Sequence, residues 1–81
     1  MDVPKQNNNC VGTRVKKARL ALKPRLSQDA LSGKLAGRGV IIDRTGIAKL
    51  EAGSRYVSDF EVKALAISLR VTVSWLLGAE N

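Results

Sequence analysis

Ser27, Asp43, Ser58 and Thr72 cut the chain into short units of one design: a residue able to cap a helix, a stripe of apolar residues at three- and four-residue spacing, and most often a glycine stop. The capping side chains can take backbone N–H groups that a first helical turn leaves unpaired. After Ser27 come Ala30, Leu31 and Leu35, halted by Gly37 and Gly39; after Asp43 come Ile47 and Leu50, halted by Gly53. Ser58 and Glu61 form a capping box, Val57 can staple to Val62, and the stripe runs on through Leu65, Ala66 and Leu69. Thr72 opens a short last unit of Val73, Trp75, Leu76 and Leu77, closed by Gly78. Upstream, Val11, Val15, Ala18 and Leu22 make a further helical stripe that Pro24 ends. Only "RVTV" alternates as a strand would, and it reads as the connection between the last two helices. The expectation is an all-α domain of five short helices over 11–81, preceded by a flexible arm over 1–10 that has no apolar period.

Charge narrows the partners. Lysine and arginine number 14 against 7 acidic residues, a formal charge of +7, which favours a polyanion over a merely soluble surface. Trp75, Tyr56 and Phe60 are the only aromatics, too few for an RNA-binding sheet that stacks bases. Cys10 is alone and histidine is absent, so no intrachain disulfide, mixed zinc site, Ser-His pair or Cys-His pair can form. Asp29, Asp43, Glu51 and Asp59 each have a capping or pairing duty, and neither an enzyme nor a metal or cofactor site is expected. The runs "GVII" and "VSWLLG" are too short to span a bilayer, and "MDVPKQNNNC" lacks the apolar stretch of a signal peptide. The expectation is a cytoplasmic protein with no membrane partner.

The third unit, "DRTGIAKLEAG", has an unusual surface. Ile47 and Leu50 turn one way, leaving Arg44, Thr45, Gly46 and Lys49 on the other side, where Gly46 costs about 1 kcal/mol of helix propensity relative to alanine. A capped polar helix after a glycine-containing connection suggests a helix-turn-helix made of helices 2 and 3.

Together, "TRVKKARLAL", "LSQDALSGKL", "GIAKLEAG" and "VTVSWLLG" resemble the helix-turn-helix XRE family, the phage-repressor and Cro-like regulators, over Val11 to Gly78. The resemblance implies a compact five-helix, lambda-repressor-like DNA-binding domain acting as a transcriptional regulator, a repressor in the main. It implies that Arg44, Thr45, Gly46 and Lys49 face the major groove, where Arg44 and Lys49 can donate to guanine O6 and N7. Gln28 matches a glutamine that reaches a phosphate and braces the start of the recognition helix, and Ser54, Arg55 and Tyr56 match a loop that grips the sugar-phosphate backbone. Tyr56 has the alternative of covering the edge of the core. Arg19 and Glu51 match a buried salt bridge between helices 1 and 3, which would make Arg19 part of the scaffold.

The chain departs from that pattern in its connections. "LALKPRLSQ" is about two residues longer than usual between helices 1 and 2, and Leu35 to Asp43 is about five residues longer than the tight turn that ordinarily joins helices 2 and 3. The longer connection is read as an added helical turn and a short loop that brings Ile41 or Ile42 into the core, with Arg38 as an extra phosphate contact. The implied partner is double-stranded DNA, bound by a homodimer on an inverted repeat. Val73, Trp75 and Leu76 are candidates for the dimer interface, with completion of the monomer core as the alternative for Trp75. A second class of function is an antitoxin-like or anti-repressor module whose partner is a protein.

Overall fold

Each of the four caps does what its position requires. In the computed structural model, which describes residues 8–81, the side chains of Ser27, Asp43, Ser58 and Thr72 accept from the N–H groups of Ala30, Gly46, Glu61 and Trp75. The helices they open are α2 (Gln28–Ala36), α3 (Arg44–Glu51), α4 (Asp59–Leu69) and α5 (Val73–Leu76), and α1 (Gly12–Ala21) precedes them. The Ser58–Glu61 capping box is complete, with both reciprocal bonds formed. No strand occurs among the described residues, and Arg70–Thr72 is a helix connection. None of these helices is long and apolar enough to cross a membrane.

Residues 1–7 of the expected arm lie outside the described residues. Its last part is anchored. Asn9 accepts from the Val11 and Gly12 N–H groups, capping α1, and donates to the Leu50 and Arg55 carbonyls, while the Asn8 side chain donates to the Ser54 carbonyl.

The apolar stripes meet in one core. Val11, Val15, Leu31, Leu35, Ile47, Leu50, Leu65, Leu69 and Leu76 are almost wholly removed from solvent. α1 packs on α3 and α4, α2 on α3 and α4, and α5 on α4. The radius of gyration of 12.2 Å is close to the about 12 Å expected of a single domain of this length. Ala30, expected in the α2 stripe, lies instead on the exposed side of that helix. In the lengthened connection, α2 winds on through a tight turn at 37–39 that ends with the Val40 N–H on the Leu35 carbonyl. Ile42 then enters the core, its carbonyl accepting from the Ser32 hydroxyl, while Ile41 stays 79% exposed.

Leu76 corrects the expected dimer surface: it is completely buried within the monomer and cannot line an interface. Trp75 is half-buried against the core and carries the Arg14 guanidinium 4.8 Å from its ring centroid. Of the expected trio, Val73 keeps substantial exposure, as does its neighbour Leu77.

Candidate nucleic-acid interface

The position of α3 is set from behind. Arg19 on α1 and Glu51 at the end of α3 form a two-pronged pair, Nε to Oε2 at 2.7 Å and Nη2 to Oε1 at 3.1 Å, with both side chains under 10% exposed. Arg19 also donates to the Leu26 carbonyl at 2.9 Å, and Gln28 donates to Glu51 Oε1 at 3.1 Å. One carboxylate therefore ties α3 to α1 and to the first turn of α2. Arg19 thus uses its guanidinium inside the fold, on Glu51 and the Leu26 carbonyl. Gln28 braces the end of α3, not its start, because Glu51 is the acceptor within its reach.

Gly12 shows how closely α1 approaches. A Cβ at this position would lie 2.2 Å from the Leu50 carbonyl oxygen and 2.9 Å from that of Glu51, so the α1 backbone seats directly on the last turn of α3. Gly46 also has a packing reason, which modifies its expected place in an open groove-facing surface. A Cβ there would come 2.8 Å from Ile42 Cγ2 and 3.2 Å from Asp43 Oδ1, and the residue is half-buried.

The polar side chains that remain exposed on the outer side of α3 are Arg44, Thr45 and Lys49, and Ala48 is exposed with them. Arg44 approaches Asp29 at 3.8 Å, but both side chains are about two-thirds exposed or more, and such a pair contributes little. Lys49 has no carboxylate partner among the described residues. Asp43 takes only the Gly46 N–H with its side chain, so the N–H groups of Arg44 and Thr45 have no acceptor inside the helix.

Besides Gln28, two more of the expected phosphate donors are already engaged. The Ser54 hydroxyl donates its one proton to the Lys49 carbonyl, where it helps close α3. Arg55 places Nη1 and Nη2 on Glu61 at 3.0 and 3.1 Å and also donates to the Tyr56 carbonyl. This hydrogen-bonded pairing raises the Arg55 pKa above its ordinary value, against some desolvation. The same pair is the main reason that the Glu61 carboxyl is held below its ordinary value, aided by the Ser58 N–H and opposed by burial. Arg55 thus braces the loop to α4 in this structure. Tyr56, in contrast, is 76% exposed and does not cover the core. Arg38 lies beyond the far end of α2 and shares a cleft with Lys34 and Arg70, away from α3.

Sequence reasoning missed Asn9 and the Arg14–Trp75 contact. An asparagine three residues ahead of a helix is a recognisable local cap, whereas Arg14 meets Trp75 only through the tertiary fold. Among the described residues, no group of three or more histidine, cysteine or acidic side chains is placed to hold a metal ion. No family model, curated protein or solved structure matches this chain.

Proposed function

We propose that this chain is a sequence-reading, double-stranded DNA-binding regulator of the helix-turn-helix XRE type, with α2 and α3 as the helix-turn-helix and α3 as the recognition helix. The observation that carries this reading is the division of labour on α3. Its inner face is buried and its last turn is fixed to α1 and α2 through Glu51, while Arg44, Thr45 and Lys49 project outward with no structural task. A rigidly held helix with free donors on one side suits the major groove, where Arg44 and Lys49 can read guanine O6 and N7 and Thr45 can meet a thymine methyl. Tyr56 and the unpaired N–H groups at the start of α3 supply backbone contacts, which set position but carry no sequence information. One domain makes few base contacts, so two copies on an inverted repeat give useful affinity, with Val73 and Leu77 as the apolar edge left on α5 for pairing. The chain binds and does no chemistry.

The test is titration of the full chain onto a labelled random-sequence duplex over a range of salt concentrations. Each phosphate neutralised adds about 0.9 to the slope of log Kobs against log salt. An Arg44→Ala/Lys49→Ala variant is expected to lose affinity with its melting temperature unchanged. Undiminished binding by that variant would show that α3 does not face DNA. One observation favours a protein-interaction module instead: Ile41 and Phe60 are more than three-quarters exposed. Recovery of one stoichiometric protein partner that withstands high salt and nuclease would support that reading.

A further inference from the structure

A second concentration of positive charge comes from the last turn of α2 and from the segments that follow α1, α2 and α4, with none from α3. Lys34, Arg38 and Arg70 line a cleft of about 430 Å³ beside Ser68, and Lys34, Arg70 and Ser68 also line an adjoining cleft of about 240 Å³ walled by Leu22, Lys23, Pro24 and Leu26. No carboxylate lines either cleft. Among the described residues, the cations in ion pairs are Arg19, Arg44 and Arg55, none of which belongs to this group. A helix C-terminus attracts a cation by its dipole, which accounts for a lysine in the last turn of α2. It does not account for two further features.

Ser68, which lines both clefts, is 8% exposed, and its hydroxyl has no hydrogen-bond partner. Ser27, Ser32, Ser54 and Ser58 all place their hydroxyls in hydrogen bonds. A serine inside a helix ordinarily bonds a carbonyl one turn back, and an unpartnered buried polar group in a native fold calls for an explanation such as a bound molecule. The second feature is Arg70. α2, α3 and α5 are each followed by a left-handed residue that is glycine, Gly39, Gly53 and Gly78, whereas α4 ends on Arg70 at φ 59°. Glycine is the unstrained choice there. The chain keeps a guanidinium at a strained position, against the two clefts that Ser68 also lines.

We infer that these adjoining clefts bind a small soluble phosphorylated molecule, its phosphate among Lys34, Arg70 and the Ser68 hydroxyl and its apolar body against Leu22, Pro24 and Leu26. The polar side chains at the shared edge are an ammonium, a guanidinium fork and a hydroxyl, all able to donate. A phosphate monoester answers with several acceptor oxygens and close to two negative charges. The clefts together have the size of a small-ligand site. This inference stands apart from the DNA reading, because none of its residues lies on α3 or in the 54–56 loop.

The experiment is an amide NMR titration of the full chain with phenyl phosphate and with inorganic phosphate, at ionic strength held constant with chloride. Saturable shifts centred on Lys34, Ser68 and Arg70 are expected, with phenyl phosphate binding the tighter of the two. Ser68→Ala and Arg70→Gly are each expected to weaken phenyl phosphate about tenfold, the loss of one hydrogen bond to a charged group. Neither should lower the melting temperature, since one removes an unpartnered hydroxyl and the other relieves a left-handed residue. Shifts that fail to saturate or spread over the whole basic surface would overturn the inference, as would full binding by both variants. Displacement of phenyl phosphate by any short duplex, whatever its sequence, would assign the cluster to a nucleic-acid backbone and equally overturn it.

Discussion

Arg19→Ala removes the guanidinium that holds α3 in place, and the structure sets the size of the effect. The substitution deletes two bonds to Glu51, at 2.7 and 3.1 Å, and one to the Leu26 carbonyl at 2.9 Å. Glu51 stays behind with its side chain 5% exposed and Gln28 as its remaining side-chain donor. Breaking a buried pair in this way costs about 3–5 kcal/mol, because the surviving charge is neither solvated nor neutralised. Each kcal/mol lowers the melting temperature of a domain this size by about 4–8 °C, so the fall should be roughly 12–40 °C. Urea unfolding should be followed by far-ultraviolet circular dichroism and by the fluorescence of Trp75, with coincident transitions establishing two-state behaviour. An Arg19→Met/Glu51→Leu double variant should recover most of the loss, since replacing both charges by apolar groups leaves no stranded ion. A cost of only about 0–1 kcal/mol for Arg19→Ala, the value of an exposed ion pair, would refute the reasoning. So would a double variant as unstable as the single one.

Gly12→Ala should cost about 1–3 kcal/mol in chemical denaturation, since its Cβ would meet the Leu50 carbonyl at 2.2 Å and force α1 off α3; a neutral effect would contradict that approach. Arg44→Ala should cost about 1–3 kcal/mol of binding on the preferred duplex and relax the base preference at one position. Its melting temperature should match that of the parent, because the Arg44–Asp29 pair is exposed; an equal loss on every duplex would count against base reading. The Glu61 carboxyl titrates below its ordinary value, so its stabilisation is present above the unfolded pKa and is lost as pH falls through the lowered folded value. The stability gap between the parent and Glu61→Gln should therefore stay level down to about pH 5 and close below about pH 4, and a gap that persisted in acid would refute the Arg55 pairing as its source.

The helices were legible because the signals that make them are local. Ser27, Asp43, Ser58 and Thr72 act on N–H groups three residues ahead, and Gly39, Gly53 and Gly78 lie two or three residues past the helices they close. The side chains that depend on distant neighbours were less so. Ile41 and Ile42 are the same residue type one position apart, and only the closing turn after α2 decides which enters the core. Leu76 and Trp75 look alike as apolar surface, but the burial of one and the Arg14 contact of the other follow from where α5 lands on α4. At the candidate interface the sequence shows donors without their acceptors. Ser54 and Arg55 are suited to phosphate by type, yet the Lys49 carbonyl and Glu61 already receive them. Gly46 is the reverse case, a residue whose reason lies in Ile42 behind it. The Arg19–Glu51 pair joins residues 32 apart in sequence and was reached through a family resemblance, since spacing alone does not specify it.

Selection of bound duplexes from a random pool at physiological salt, with Arg44→Ala/Lys49→Ala selected in parallel, tests the central claim most directly. A sequence-reading regulator that works through α3 predicts an inverted repeat from the parent chain and loss of that consensus from the variant. Recovery of no consensus by the parent, or of the same consensus by both, would contradict the account.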